Sequence, residues 1–286
     1  AACYAAKDRG RNRVHLFQPD DIQAQERQGQ IQWASRLQEA LDKDLFRLYF
    51  QTIVPLENSD NIMPHYEILA RMIGPEGEII PPGAFIPAAE RFGLMPKIDQ
   101  WVIRNTLSWM GDQLRQNQQP VFCSINLSGA SIGREDCLQL IQEQLEKRKV
   151  PANNICFEIT ETAAIADPAN AGRFITELKR LGCQFALDDF GSGLSSFGYL
   201  KQLPVDYLKI DGIFIQELAN NRIDQAMVAS INNIGHIMGL KTIAEFVEDA
   251  ATLNILRQIG VDYVQGFYLS RPEPLESLMS VRVMPR

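Results

Sequence analysis

A (β/α)8 barrel is the fold class this α/β sequence predicts, and three observations carry the prediction. β-rich runs alternate with helical patterns along nearly the whole chain. There are eight such runs, and eight βα units in about 240 residues favour a closed barrel over an open doubly wound sheet. Several helical patterns end on Gly, the residue that closes a helix in the left-handed conformation. At 286 residues the chain is long enough for one such barrel.

In order along the chain, residues 1–20 are basic and break at Gln18-Pro19-Asp20-Asp21, where Pro and paired Asp read as a helix start. From Ile22 to about Lys43, the apolar residues Ile31, Trp33, Ala34, Leu37, Ala40 and Leu41 recur at helical spacing, an amphipathic lead-in helix. The strand-like runs come next: FRLYFQTIVPL, YEILARMI, PVFCSINLS, ICFEITE, CQFALDDF, YLKID, KTIAEFVE and YVQGFYLS. Helical patterns between them cover Lys97 to Gln116, Cys137 to Lys149, Asn170 to Leu181, Asp224 to Met238 and Ala250 to Ile259. No Gly-rich phosphate loop follows a strand and no G-x-S-x-G elbow occurs, so neither a nucleotide cradle nor a serine hydrolase is indicated.

Composition narrows the function. With 28 Lys and Arg against 35 Asp and Glu, the net charge of −7 has the wrong sign for wrapping a nucleic-acid polymer, while a small anion remains possible where acids hold cations. No apolar run approaches a membrane span, so no direct membrane contact is expected of this segment. Cys3, Cys123, Cys137, Cys156 and Cys183 include no C-x-x-C pair, which points to reduced thiols and a cytoplasmic setting. His15, His65 and His236 are scattered and read as structural or exposed.

Polar residues late in the strands are the anomaly, since a barrel interior otherwise takes Val, Ile or Leu. They are Glu67, Asn126, Glu158, Asp188, Asp189, Lys209, Asp211, Glu245 and Gln265, one group per strand at the end where barrel sites form. Five acids converging on a single lysine cannot all stay ionised without cations. All-oxygen ligands select Mg²⁺, Mn²⁺ or Ca²⁺, and adjacent Asp188 and Asp189 suit a bridged metal pair acting on a phosphodiester. Any one of these acids alone could instead cap a helix at a strand-to-helix turn; together they are poorly explained that way. Arg71 can reach a phosphate as a planar fork, or form a surface ion pair. The loop GSGLSSFGYL could close over a ligand or be a tight turn.

As a set, YFQTIV, EILAR, PPGAFIPAAERFG, SINLSG, FEITET, LDDFGSGLSSFGYLKQLPVDYLKID, TIAEFVE and QGFYLSRP resemble the EAL-type phosphodiesterases that hydrolyse cyclic di-GMP, from about Leu37 to Pro274. The resemblance implies a TIM-like barrel with one antiparallel strand. It implies that Glu67, Asn126, Glu158 and Asp188 hold one metal, and that Asp188 bridges to a second held with Asp189 and Glu245. It further implies that Lys209 orients the attacking water, with Glu67 and Glu245 sharing in the catalysis. Gln51, Arg71, Asp211 and Gln265 then contact substrate, and Glu161 steadies the loop after Asp189. The implied cofactors are two Mg²⁺ or Mn²⁺ ions per site, with Ca²⁺ inhibitory, and the product is linear 5′-pGpG in bacterial second-messenger signalling. The N-terminal CYAAKDRGRNRV resembles the end of a GGDEF domain. Residues 1–20 are therefore read as that remnant, 21–35 as linker and lead-in helix, and 36–286 as the phosphodiesterase domain. The parent is expected to carry upstream GGDEF and sensor domains, to form a homodimer, and to be cytoplasmic or membrane-anchored.

Four positions depart from the family pattern: Thr52 for Pro, Ile68 for Ala, Ser192 for Thr and Phe246 for Gly. Strand alternation expects Phe246 to face the outer helices, buried, and to leave Glu245 free at the mouth. The alternatives are a non-catalytic cyclic di-GMP receptor, set against the complete acid set, and a carboxylate–metal barrel acting on a carbon acid, which leaves SINLSG and the DDFGSG loop unexplained.

Overall fold

The structure, a computed structural model, describes residues 22–57, 63–191 and 198–279. The N-terminal stretch 1–20, including His15 and Cys3, and Ser192 lie outside the described residues. The chain forms two compact units, Ala1–Arg47 with Arg71–Ile98, and Leu48–Ala70 with Asp99–Arg286.

The elements in chain order are α1 (Ile22–Asp42), β1 (Phe46–Pro55), β2 (His65–Ile73), β3 (Ile79–Ile80), α2 (Pro82–Arg91), α3 (Met95–Arg115), β4 (Phe122–Asn126), α4 (Glu135–Arg148), β5 (Ile155–Thr160), α5 (Glu161–Ala166), α6 (Pro168–Leu181), β6 (Gln184–Phe190), β7 (Tyr207–Ile210), α7 (Arg222–Ile237), β8 (Lys241–Ala244), α8 (Ala250–Ile259), β9 (Tyr263–Val264) and β10 (Glu273–Pro274). All eight expected strands are present. Between them they close a ring in the order β1, β9, β8, β7, β6, β5, β4, β2, sealed by a β1–β2 pairing. Neighbours from β2 round to β9 are parallel. β1 runs antiparallel to β9 through Val54↔Val264, so it is the one reversed barrel strand.

Two-residue β3 and β10, the helix α2 and the one-turn helix α5 are not marked by periodicity. β3 and β10 are too short to show alternation, and α2 opens on Pro81-Pro82 and holds Pro87, which reads as a breaker although Pro at the first helical position is tolerated. In the smaller unit, α1 and α2 pack around Leu37, Ala40 and an edge-on pair of Phe46 and Phe85 rings 5.7 Å apart.

The outer helices are stapled at both ends by local chemistry. The Asp167 side chain accepts from Asn170 N–H to start α6, and Gly182 at φ +107° ends it; Asp249 and Gly260 do the same for α8. Ala171, Phe174, Ile175 and Leu178 give α6 one buried stripe.

Inside the barrel the residue types change with depth. The first residues of four strands, His65, Phe122, Tyr207 and Tyr263, form an aromatic floor with ring centroids 4.6 to 6.2 Å apart. Ser124, Cys156 and Ala186 fill the next layer, and the carboxyl ends are polar. Cys123, Cys137, Cys156 and Cys183 are free and buried, and His65 is buried against Ser124 Oγ at 2.9 Å, structural as expected.

The expected placement of Phe246 is overturned. β8 ends at Ala244, so alternation no longer governs the residues beyond it. Phe246 adopts φ +54°, and its ring is 51% exposed at the mouth.

Candidate active site

Strand ends position the site. Glu67, Glu158 and Lys209 project inward from β2, β5 and β7, and their burial requires mutual compensation. Lys209 Nζ is the hub: it lies 2.5 Å from Glu158 Oε2, 2.8 Å from Glu245 Oε1, 3.3 Å from Asp188 Oδ1 and 3.8 Å from Glu67 Oε2. Asn126 Nδ2 donates to Glu67 Oε1 at 2.7 Å, and Gln265 Nε2 donates to Glu67 Oε2 at 2.6 Å and to Gln51 Oε1 at 3.1 Å. Gln51 Nε2 in turn donates to the Ser270 carbonyl at 2.9 Å.

Adjacent strand residues ordinarily face opposite ways, so two neighbouring acids on one rim need a local device. The β6–β7 register shifts between Leu187 and Phe190, and Asp189 sits at φ +53°, a left-handed turn that Asp tolerates. Its N–H donates to Asp188 Oδ1 at 3.0 Å, and carboxylate oxygens of Asp188, Asp189 and Glu245 come within 4.8 Å of one another. Gln265 is held by a close backbone crossing: a Cβ on Gly266 would stand 2.1 Å from the Val247 carbonyl, so only glycine fits there.

The electrostatics follow from burial. Burial pushes Glu158 up to about 8, against the pull of Lys209. Asp188 and Glu245 are likewise raised by burial. Asp189 is raised to about 6 by burial and by the neighbouring Asp188 and Asp211 charges. Burial works against the Lys209 ammonium, yet Asp188, Glu158, Glu245 and Glu67 around it hold its pKa well above the lysine value. Lys209 thus serves four acids. Among the described residues, Glu158 Oε1 and Gln265 Oε1 are buried with no hydrogen-bond partner, oxygens left over for something positive. The donor set is all oxygen, so the residues fit hard divalent cations.

Glu67, Asp188, Asp189 and Glu245 line a cavity of about 300 Å³ together with Gln51, Phe246 and Phe267. Glu161 is 2% exposed and takes a hydrogen bond from Gly191 N–H at 2.9 Å and from Tyr199 O–H at 2.5 Å, one residue on either side of positions 192–197 in the sequence. Asp211 Oδ1 accepts from Ile213 N–H, which turns the chain after β7. Arg71 belongs to the smaller unit. Asp99, buried against Ser128 and Ser131, is not among the residues the strand-end pattern marks. Its signal was an acid among the apolar positions of the Lys97 to Gln116 pattern.

Residues 34–272 match the EAL domain family. The cyclic di-GMP phosphodiesterase PdeB of Shewanella oneidensis is 43% identical over 278 residues, 96% of this chain and 32% of PdeB. The chain therefore spans about a third of that relative's length. The FimX EAL domain from Pseudomonas aeruginosa bound to c-di-GMP superposes with a TM-score of 0.78 at 33% identity, over 84% of this chain and 96% of that one. A PaMucR phosphodiesterase in complex with c-di-GMP gives 0.80 at 33% identity, over 86% and 99%. A barrel with one reversed strand, an acid ring around one lysine, and these likenesses in sequence and structure agree: the chain belongs to the EAL domain family.

Proposed function

We propose that this chain hydrolyses cyclic di-GMP to linear 5′-pGpG in a metal-dependent reaction. The observation that carries the reading is the complete ring of Glu67, Asn126, Glu158, Asp188, Asp189 and Glu245 about the buried Lys209. Relatives named as cyclic di-GMP phosphodiesterases support the substrate.

Glu67, Asn126, Glu158 and Asp188 would hold one Mg²⁺ or Mn²⁺, and Asp188, Asp189 and Glu245 a second. When bound, the ions supply an acidified water and neutralise the charge that builds on the phosphodiester. The Lys209 ammonium, held charged by its acids, donates a hydrogen bond that orients the attacking water and offsets negative charge in the dry mouth. Cations there would favour the ionised forms of Glu158, Asp188 and Glu245, which burial otherwise disfavours, and Glu245 and Glu67 would stand near that water to accept its proton. Gln51, Gln265 and Asp211 present polar groups to the substrate, and Arg71 is assigned to its phosphate. Glu161 fixes both flanks of the loop after Asp189. This loop anchoring gives a homodimer contact or an upstream GGDEF or sensor domain a route to the metals.

Residues 1–20 are assigned to a GGDEF remnant, 21–35 to a lead-in helix and 36–286 to the catalytic domain, in a cytoplasmic setting; among the described residues no helix is long and apolar enough to cross a membrane. The test is incubation of the purified chain with cyclic di-GMP and Mg²⁺ or Mn²⁺, followed by chromatography. Linear product supports the reading, and tight binding without turnover replaces it with the receptor alternative.

A further inference from the structure

Asp99, in the first turns of α3, is 4% exposed, and a single carboxylate oxygen collects three hydrogen bonds from the loop after β4. Ser128 N–H donates to Oδ2 at 3.1 Å, Ser128 Oγ at 2.5 Å and Ser131 Oγ at 2.6 Å. That loop starts directly after Asn126, the last residue of β4. The sheet's hold on it ends with Leu127 N–H donating to the Glu158 carbonyl at 2.8 Å. One residue later Asp99 takes over.

We infer that Asp99 is a positioning residue for Asn126, fixing the chain on which its carboxamide stands so that the side-chain oxygen is presented toward the acids. This inference rests on the reading of Asn126 as a metal-holding residue. Asn126 is the only neutral member of that set. A carbonyl oxygen attracts a cation less than a carboxylate does, so its contribution depends on an orientation fixed in advance. Its Nδ2 is already committed to Glu67 Oε1, which leaves backbone position as the remaining freedom. Hydrogen bonds to an ionised acceptor are the strong ones, and groups behind metal ligands commonly set metal affinity. A buried carboxylate on a neighbouring helix, pinning the two serines of SINLSGAS, supplies that restraint.

The experiment is isothermal titration of Mn²⁺ into the full chain, with thermal melting alongside, for wild type, Asp99→Ala, Asn126→Ala and the double variant. Asp99→Ala is expected to weaken Mn²⁺ binding about tenfold. That loss should vanish in the Asn126→Ala background, while the drop in melting temperature persists in both. Asp99→Asn keeps the shape and an acceptor oxygen, so it should lose less, again only when Asn126 is present; it carries the test if the alanine variant does not fold. Folded variants with wild-type Mn²⁺ affinity, or an equal loss in both backgrounds, overturn the inference and leave Asp99 a packing residue. Wild type and Asn126→Ala binding Mn²⁺ alike would overturn the assignment of Asn126 itself.

Discussion

At φ +53° and +54°, Asp189 and Phe246 each turn the chain off its extended path, and that turn decides where their side chains go. For Asp189 it brings a second acid to the rim. For Phe246 it brings a ring out to the mouth, over Gly212, where an added Cβ would lie 2.3 Å from Phe246 Cδ2. A bulky residue in the left-handed region costs on the order of 1 kcal/mol. Phe246→Gly should therefore leave stability within about 1 kcal/mol of wild type, because strain relief offsets lost contact and added unfolded-state freedom. A loss of about 3 to 5 kcal/mol, as for a buried aromatic, would contradict the exposed placement. Gly212→Ala should destabilise wild type by about 1 to 2 kcal/mol, since the ring must swing away, and should be nearly neutral beside Phe246→Gly. Chemical denaturation of the four proteins measures this. Period-two alternation could not anticipate either turn, because it holds only while the strand lasts.

At the scale of elements, strands were legible because each carries a β-rich apolar run, and the helices because Gly and Asp close them. The acids were legible as polar residues at strand ends. Asp99 escaped because its role depends on Ser128 and Ser131, distant in sequence, and for the same reason the residues were named but not their partners in the pairs Glu161 with Tyr199 and Gln51 with Ser270. The barrel's lower rim shows the same dependence. Asp262 Oδ2 accepts from Thr242 N–H at 2.8 Å and Thr242 Oγ1 at 3.1 Å, and lies 2.8 Å from His236 Nε2, tying β8 to the segment before β9. Partial burial pushes the Asp262 carboxyl up, but the Thr242 amide and His236 more than reverse this and hold it below the usual range. A depressed folded pKa gives stability that is present above the unfolded carboxyl value and lost as pH falls through the folded one. Asp262→Asn should thus lower stability at pH 7 and flatten its decline below about pH 4. Urea midpoints from pH 7 to pH 2 test this, and an unchanged acid limb would show that Asp262 does not contribute to it.

At the scale of the whole molecule, the barrel joins an apolar floor to a mouth in which four carboxylates surround one ammonium. Metal choice follows from that mouth. Ca²⁺ prefers more ligands at longer and looser distances than an octahedral Mg²⁺ site supplies, so it should occupy the acids and position water poorly. On the proposed function, Ca²⁺ added to an assay run in Mg²⁺ is expected to inhibit, read as falling product formation; full activity in Ca²⁺ alone would count against the mechanism. The central claim is that the strand-end acids perform the chemistry rather than only shape the pocket. Its most direct test sets Glu67→Ala beside wild type and measures Mn²⁺-dependent turnover and cyclic di-GMP binding on both. Removing Glu67 strips a proposed metal-holding carboxyl and the partner of Asn126 and Gln265. The predicted result is loss of hydrolysis with binding retained in part, and near wild-type turnover in the variant would contradict it.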